Sequence, residues 1–346
     1  MSILVTGGTG YIGSHTVAEL LNSGEDVIIV DNLYNSKLSV LDKIETITGI
    51  RPKFYHEDAA DRAAMDKIFA ENSIEAVIHF AGLKAVGESV QKPLEYYRVN
   101  LDSAVVTMET MRKYGCKCFI FSSSATVYGE PETVPIREDF PVATPTSPYG
   151  KTKLMIEQIM QDVYAADDTM SMVILRYFNP IGAHESGLLG EEPNGIPNNL
   201  MPYITEVAAG RLPELHVYGD DYPTKDGTGV RDYIHVVDLA VGHIKALRHR
   251  SDRGVFIYNL GTGVGYSVFD IIRTFERVNG ITIPYTVTAR RPGDIAEYYA
   301  DPAKALRELG WKAERGLEDM CRSAWHFIQG TLEGGKGRNE RDASAG

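Results

Sequence analysis

The stretch Ile3-Leu4-Val5-Thr6-Gly7-Gly8-Thr9-Gly10-Tyr11-Ile12-Gly13 decides the fold of this chain. A short apolar run ends at a glycine-rich turn, and the helix-like residues 14–23 follow until Gly24 stops them. Residues 27–30 are again apolar and indicate a second buried strand, which ends at Asp31. This order of strand, glycine turn, helix and strand predicts the first βαβ unit of a parallel sheet.

The same alternation continues along the first half of the chain. Apolar residues 76–80 are followed by a helical segment of about 94–114 and a further apolar run, 118–121. Continuous apolar strands that alternate with helices are typical of a parallel sheet covered on both faces. We therefore predict an α/β fold with a Rossmann-type doubly wound parallel sheet over residues 1–180.

The second half of the chain has a different residue composition. Residues 179–199 are rich in Gly, Pro and Asn, which favours a binding loop. We predict a smaller α/β substrate-binding domain over residues 181–332, with the segment of about 231–260 as a candidate to return to the first domain. The polar, glycine-rich residues 333–346 predict a disordered tail.

Composition excludes several classes of function. The chain has 346 residues, of which 43% are hydrophobic and 24% charged, and it contains no apolar run of about 18 residues that could span a bilayer. A net charge of −12 opposes binding to nucleic acid or anionic lipid, so a phosphate ligand would need local cations. Three cysteines are too few for a disulfide framework or a zinc site, and we expect no metal. Without the pattern of a secretory signal, the expected compartment is the cytoplasm.

The glycine turn and Asp31 indicate a dinucleotide site. Gly7, Gly10 and Gly13 let the backbone turn tightly and approach a pyrophosphate at the helix N-terminus, although ordinary tight turns have similar spacing. Asp31 ends the second strand at about the 20-residue spacing at which a carboxylate accepts hydrogen bonds from ribose hydroxyls. A 2′-phosphate would meet a negative charge there, and Asn32 supplies no cation, so NAD is favoured over NADP. The alternative for Asp31 is a solvated strand end.

Tyr149 and Lys153 are the candidate catalytic pair. They stand four residues apart at the start of a predicted helix, so both side chains lie on one face. A phenol with a pKa of about 10 is a poor base at neutral pH, and a nearby ammonium group would lower that pKa. Ser124 follows a strand at the sheet edge where ligands of such folds bind, with Thr126 as the alternative hydroxyl and a turn-capping role as the structural alternative.

Three motifs together carry a family resemblance. With residues 6–13, 122–129 and 149–153, the chain resembles the extended short-chain dehydrogenase/reductase superfamily. Further stretches are similar to the UDP-glucose 4-epimerase family, and the resemblance extends over about residues 1–330; these stretches are 79–89, 176–180, 195–202 and 226–235.

The resemblance implies roles for individual residues. Tyr149 is expected to be the catalytic base, Lys153 its partner and Ser124 the hydroxyl near the sugar. The implied NAD contacts are Gly7, Gly10, Tyr11, Ile12, Gly13, Asp31, Asn32, Asn35, Ser36, Asp58, Ala59, Phe80, Ala81, Gly82, Lys84, Asn100, Ser124, Tyr149, Lys153 and Phe178. The implied contacts of the UDP-sugar are Lys84, Ser124, Tyr149, Asn179, Asn199, Leu200, Tyr218, Arg231, Tyr233, Arg291, Asp294 and Tyr298.

The resemblance also implies an activity. Members interconvert UDP-galactose and UDP-glucose in galactose metabolism by reversible oxidation at C4 of the sugar, through a 4-keto intermediate that turns its other face to tightly bound NAD. They form homodimers, for which residues 94–113 and 151–164 are candidate faces. Tyr298 resembles a gatekeeper that leaves little room for an N-acetyl group.

Other functions remain open from the sequence. A dehydratase of the same superfamily needs an acid and base pair, but Ala125 and Thr126 follow Ser124 in place of acidic residues. A net dehydrogenase or reductase would consume added NAD. A non-catalytic NAD-binding module is the third alternative, although such modules usually lack the tyrosine and lysine pair.

Overall fold

The structure is a computed structural model that describes residues 1–193, 195, 197, 199–291 and 293–343, with side chains as far as residue 332. The strands are β1 Ser2–Thr6, β2 Asp26–Val30, β3 Lys53–Tyr55, β4 Ile74–His79, β5 Cys118–Ser124, β6 Ser171–Tyr177, β7 Asn179–Ile181, β8 Leu215–Tyr218, β9 Val230–His235, β10 Gly254–Leu260, β11 Gly265–Ser267, β12 Tyr285–Thr288 and β13 Glu297–Tyr298. The helices are α1 Tyr11–Asn22, α2 Ser39–Thr48, α3 Arg62–Glu71, α4 Val86–Gln91, α5 Pro93–Tyr114, α6 Pro148–Ala166, α7 Leu200–Ala208, α8 Val236–Ala246, α9 Val268–Asn279, α10 Ala303–Leu309 and α11 Leu317–Ala343.

The larger layer is a seven-stranded parallel sheet with the order β10-β6-β5-β4-β1-β2-β3. Side chains of β1 alternate between its two faces: Ile3 and Val5 pack with α1, α2 and α8, whereas Leu4 packs with α3, α5 and α6. Both faces are therefore covered, which confirms the predicted doubly wound α/β fold. The strand order reverses between β1 and β4, and ligands of such sheets bind in the crevice at that point.

The smaller part of the molecule has a sheet centred on β9, which pairs with β7 and β13 in parallel and with β11 in antiparallel orientation. Strands β8 and β12 form a separate parallel pair. Buried residues of α7, α9 and α11 fill the core between these elements. The predicted binding loop begins instead as strand β7, and its residues 194, 196 and 198 lie outside the described part of the chain.

The segment of about 231–260 contributes to both layers. It starts in β9 of the small sheet, continues as α8, which packs against α1, and ends as β10 at the edge of the large sheet. The disordered tail stays a prediction: α11 extends to Ala343, and residues 344–346 lie outside the described residues. No helix within the described residues combines the length and the apolar character that crossing a membrane requires.

The glycine turn depends on close backbone contacts. Gly7 has a φ of +70°, a left-handed value that favours glycine. A Cβ on Gly13 would lie 2.2 Å from the carbonyl oxygen of Gly7, which is far inside van der Waals contact. Helix α1 therefore reaches the end of β1 only because residue 13 has no side chain.

Replacing Gly13 with Ala should destabilise the fold by about 1–3 kcal/mol, because the turn must move away from α1. The matched control is Gly87→Ala in α4, where an added Cβ meets nothing within 4 Å. This control should be neutral or stabilise by up to about 1 kcal/mol. Urea denaturation measures both changes, and equal stabilities for the two variants would contradict the close contact.

Burial depresses the pKa of five buried histidines, including His184. Burial lowers the pKa of His15 and His243 to about 4 and that of His79 and His235 to about 3. In His243 the Nδ1 atom lies 2.9 Å from the carbonyl oxygen of Leu239, whereas the buried Nε2 atom has no hydrogen-bond partner. Protonation of these rings is therefore easier in the unfolded chain, where the pKa is about 6.5.

These shifts predict acid destabilisation. Between about pH 6.5 and pH 4 the unfolded chain binds more protons than the folded chain, so the free energy of unfolding falls as pH falls. Each histidine contributes up to about 1.4 kcal/mol per pH unit. Urea denaturation from pH 7 to pH 4.5 should show this slope, and His243→Gln should reduce it. Exposed His56→Gln is the control, and equal slopes for both variants would contradict the prediction.

Candidate active site

The N-terminus of α1 has the features of an anion-binding site. Gly10 caps the helix without a side-chain hydrogen bond, and the first turn contains no acidic residue. Tyr11, Ile12 and Gly13 form that turn, so their backbone N–H groups and the helix dipole favour a negative charge. The residues present fit a dinucleotide pyrophosphate, and the binding of this group by the turn stays a prediction.

The carboxylate of Asp31 lies beside this turn at the end of β2. Its Oδ2 atom accepts a hydrogen bond from the backbone N–H of Thr9 at 3.1 Å, and its Oδ1 atom accepts one from the Ser36 hydroxyl at 3.1 Å. Asn32 donates to Asp58 at 3.0 Å, which joins the ends of two neighbouring strands. The predicted adenosine-side residues are thus gathered at one corner of the sheet, with Ala59 buried next to Asp58 and Asn35 in the loop after β2.

The loop after β4 contains the predicted nicotinamide-side residues 80–84. Asn100 braces this loop, because its side chain accepts from the Leu83 N–H at 2.7 Å and donates to the Leu83 carbonyl at 3.1 Å. It also donates to the Thr152 hydroxyl on α6 at 3.0 Å. Asn100 therefore positions the loop, and its direct contact with NAD stays a prediction. Lys84 lies 3.0 Å from Glu191 in an ion pair that crosses to the second domain.

Tyr149 and Ser124 meet at the carboxyl end of β5. Ser147 caps helix α6 through a hydrogen bond from the Gly150 N–H at 3.2 Å, which fixes Tyr149 in the first turn. The phenol is buried and hydrogen-bonded to Ser124. Thr126, the alternative hydroxyl, donates to Ser124 at 3.0 Å. The hydroxyl next to the phenol is therefore that of Ser124, and Thr126 holds the Ser124 side chain through a hydrogen bond.

The electrostatics of Tyr149 differ from the sequence-based expectation. Burial raises its pKa to about 12, and the hydrogen bond with Ser124 opposes this only in part. Lys153 does not reverse the shift: its Nζ atom donates to the Ser122 carbonyl at 2.7 Å and lies 5.8 Å from the centre of the Tyr149 ring. The expectation that Lys153 lowers this pKa is wrong for the protein alone, because desolvation dominates.

Burial also acts on Lys153. It lowers the pKa of this ammonium to about 8, with the negative charge of Glu157 in opposition. Sequence reasoning missed Tyr177, whose hydroxyl lies 2.7 Å from the Ser122 hydroxyl and whose pKa is raised by burial and by the nearby Tyr149. Only the pairing of β5 with β6 places Tyr177 beside residues 122–124, so no local pattern could have indicated it.

A cleft of about 830 Å³ opens in the second domain. Most of the predicted nucleotide contacts line it, namely Asn199, Leu200, Tyr218, Arg231, Tyr233, Arg291 and Asp294. Further residues that no sequence motif indicated also line the cleft, namely Pro197, Tyr203, Leu215, His216, Val217, Tyr222, Gly229 and Val268. The alternating stretch 215–218 could have indicated strand β8, but not which face meets the cleft.

Two arginines supply the local cations that the net charge of the chain demands. Arg231 is fixed by hydrogen bonds to the carbonyls of Val230 at 2.8 Å and Ile295 at 2.6 Å. Arg291 lies over the Tyr218 ring at 4.8 Å and pairs with Asp294 at 3.0 Å. Both arginines line the cleft, and the planar geometry of their guanidinium groups suits phosphate oxygens.

Two other predicted substrate residues lie outside the lining of this cleft. Asn179 is exposed at the start of β7, where it pairs in register with Tyr233. Tyr298 is buried, donates to the carbonyl of Ala125 at 2.5 Å and packs against Phe178 with ring centres 5.7 Å apart. Tyr298 therefore forms a wall directly beside the segment that follows Ser124.

In the described part of the chain, no group of three His, Cys, Asp or Glu side chains is arranged so that it could hold a metal ion.

The Rossmann layer, the glycine turn and the buried tyrosine and lysine pair define the class of NAD-dependent epimerases and dehydratases within the extended short-chain dehydrogenase/reductases. A family model described as GDP-mannose 4,6 dehydratase matches residues 4–324.

The curated relatives are more specific than that model. The UDP-glucose 4-epimerase of Bacillus subtilis (strain 168) is 60% identical over 337 residues, which are 97% of this chain and 99% of the relative. That of Pasteurella multocida (strain Pm70) is 61% identical over 328 residues, 94% of this chain and 97% of the relative. The crystal structure of UDP-glucose 4-epimerase from Bifidobacterium longum in complex with NAD+ and UDP has a TM-score of 0.93 and 56% identity, and the match covers 96% of this chain and 100% of that chain. The chain belongs to the UDP-glucose 4-epimerase family.

Proposed function

We propose that the chain interconverts UDP-galactose and UDP-glucose with NAD as a tightly bound, regenerated cofactor. The observation that carries this proposal is the buried contact of Tyr149 with Ser124, at the same carboxyl edge of the parallel sheet as the glycine turn and beside the Tyr298 wall. The nucleotide cleft with Arg231 and Arg291 supports a nucleoside diphosphate as the carrier of the sugar. The activity of the relatives supports the reaction.

The described geometry supports a set of residues that would hold NAD. The first turn of α1 would bind the pyrophosphate, Asp31 would accept hydrogen bonds from the adenosine ribose, and the loop of residues 80–84 would contact the nicotinamide side. When bound, NAD supplies a hydride acceptor and a positively charged ring. A relative from Brucella ovis, whose structure contains NAD, is 40% identical to this chain.

The chain's own residues move the proton. Tyr149, once ionised, accepts the proton of the sugar 4-hydroxyl while the C4 hydride leaves, and Ser124 donates a hydrogen bond to the same oxygen. The same groups return the proton after the 4-keto sugar has presented its opposite face. Lys153 holds its charge beside the base, and buried Tyr298 and Phe178 exclude water from this end of the site.

This chain lacks, after Ser124, the acidic and basic groups that a dehydratase would need. Ala125 and Thr126 follow Ser124, the carbonyl of Ala125 is bound by Tyr298, and Thr126 is bound to Ser124. Neither residue can act as an acid or base for elimination of water. The match to a family model described as a dehydratase therefore supports the shared family, and the proposed reaction remains 4-epimerisation.

The direct test incubates purified protein with UDP-galactose and no added cofactor, and follows UDP-glucose by NMR. We expect conversion to equilibrium, because the cofactor is regenerated in each cycle. Tyr149→Phe should lower the rate by about 10²–10⁴-fold, since the general base is lost. Tyr164→Phe, on the same helix, is the matched control and should retain full activity. Near wild-type turnover by Tyr149→Phe would refute the role of the base, and a 4-keto-6-deoxy product would indicate a dehydratase.

We further propose that Tyr298 restricts the substrate to sugars without an N-acetyl group. Tyr298→Ser should raise kcat/KM for UDP-N-acetylgalactosamine at least about tenfold relative to UDP-galactose, because it removes a buried ring. Tyr298→Phe keeps the ring and removes only the hydrogen bond to Ala125, so its selectivity should match the wild type. Equal kcat/KM of the wild type on both sugars would exclude this role. A UDP-Glc/GlcNAc 4-epimerase from Campylobacter jejuni, 35% identical, shows that the fold accommodates both.

The assembly and compartment are also proposals. We propose a homodimer through α5 and α6, supported by the exposed apolar side chains of Leu94 and Met155 on these helices. The proposed compartment is the cytoplasm, supported by three cysteines that are buried as free thiols.

A further inference from the structure

A buried ion pair lies directly behind the catalytic lysine. Glu157 follows Lys153 by one turn of α6, and its carboxylate pairs with Arg176 of β6 through contacts of 2.6 Å and 3.0 Å. The side chains of Arg176 and Glu157 are only 4% and 1% exposed. The reaction described above uses neither residue.

The carboxylate of Glu157 also holds the strand that carries the active-site serines. The Ser123 hydroxyl donates to Glu157 at 2.5 Å, and Ser123 pairs in register with Arg176. Its two neighbours serve the site directly, because the Ser122 carbonyl accepts the hydrogen bond from Lys153 and Ser124 contacts Tyr149. One carboxylate therefore fixes both strands where their residues meet the catalytic pair.

The charges around Lys153 are few. On α6 it faces Tyr149 and Glu157, on β4 it faces His79, and on β6 Arg176 and Tyr177 lie beyond Glu157 and Ser122. Burial keeps His79 neutral near pH 7, because it lowers the pKa of that ring to about 3. Glu157 is thus the negative group that favours the ammonium form of Lys153, and Arg176 is the cation that balances Glu157.

We propose that Glu157 is a positioning residue of the catalytic centre: it keeps Lys153 charged and, with Arg176, fixes the strand end that carries Ser122 and Ser124. Stability alone does not explain the pair, because apolar side chains of similar volume often replace buried ion pairs without loss of stability. The proposal rests on the proposed function, in which Lys153 must carry its charge beside the base.

The test begins with Glu157→Gln, which keeps the shape and hydrogen-bonding capacity of the side chain and removes its charge. The loss of the carboxylate leaves Arg176 as an unbalanced cation near Lys153, so Lys153 should lose its proton at lower pH. The alkaline limb of the kcat–pH profile for UDP-galactose should move down by at least about one pH unit. KM should change less than about threefold, since neither residue of the pair lines the nucleotide cleft.

The double variant Glu157→Gln/Arg176→Met separates charge from packing. It removes both charges, so the alkaline limb should return to within about half a pH unit of the wild type. Arg176→Met alone leaves the negative charge of Glu157 without its partner cation and should move the alkaline limb to higher pH. If all three variants lower the melting temperature and kcat while the limb stays in place, the pair has a structural role only and the proposal is overturned. Should Glu157→Gln fail to fold, the Arg176→Met and double variants decide between the same outcomes.

A titration without substrate distinguishes this proposal from the proposed function. In protein labelled with ¹³C at the lysine ε-carbons, the resonance absent from Lys153→Met reports the protonation of Lys153. Glu157→Gln should lower the midpoint of that titration by at least about one pH unit, even if the wild type converted no UDP-galactose. An unchanged midpoint would overturn the proposal while leaving the epimerase assignment intact.

Discussion

The hydrogen bond from Lys153 to the carbonyl of Ser122 joins helix α6 to strand β5 at the edge of the sheet where the ligands bind. It places an ammonium group in a buried position, which is costly unless that group is held by acceptors and balanced by charge. The carbonyl supplies the acceptor, and Glu157 supplies the charge. Because Tyr149 lies one turn before Lys153 on α6 and Ser124 lies two residues after Ser122 on β5, the same bond helps to set the distance between Tyr149 and Ser124.

Burial of this centre has two opposite effects on its titratable groups. It raises the pKa of Tyr149 to about 12 and lowers that of Lys153 to about 8, so each side chain is driven toward its neutral form. A base with such a pKa is inactive at neutral pH unless further positive charge enters the site. In the proposed reaction, the oxidised nicotinamide ring of bound NAD would supply that charge, and the phenol would then become reactive in the loaded protein.

Much of this architecture follows from local sequence. The apolar run before Gly7, the glycine spacing and the position of Asp31 predict β1, the turn, α1 and the end of β2, because each depends on neighbouring residues. The separation of Tyr149 and Lys153 predicts a shared helix face. Local sequence does not report how deeply a phenol is buried, which is why the direction of the Tyr149 pKa was predicted wrongly.

Local sequence likewise does not predict which distant segments contact each other. The bracing of the 80–84 loop by Asn100 joins residues from separate elements, and the pairing of Glu157 with Arg176 requires the packing of α6 on β6. The position of Tyr177 beside Ser122 and that of His216 in the cleft lining likewise depend on which strands and faces become neighbours. Such arrangements are set by topology, and a single sequence contains no periodic signal for them.

The sugar end of the site shows how specificity and chemistry are connected. Tyr298 belongs to β13, which is held by β9, yet its hydroxyl donates to the carbonyl of Ala125, the residue after Ser124. On β9, Asp232 accepts hydrogen bonds from the backbone N–H groups of Thr262 at 2.8 Å and Ala300 at 3.1 Å, which fixes the chain just beyond Tyr298. The proposed wall of the sugar pocket is therefore bonded to the residue next to Ser124. A smaller side chain at position 298 would also release the carbonyl of Ala125, so in the proposed reaction a change in selectivity would also affect the rate.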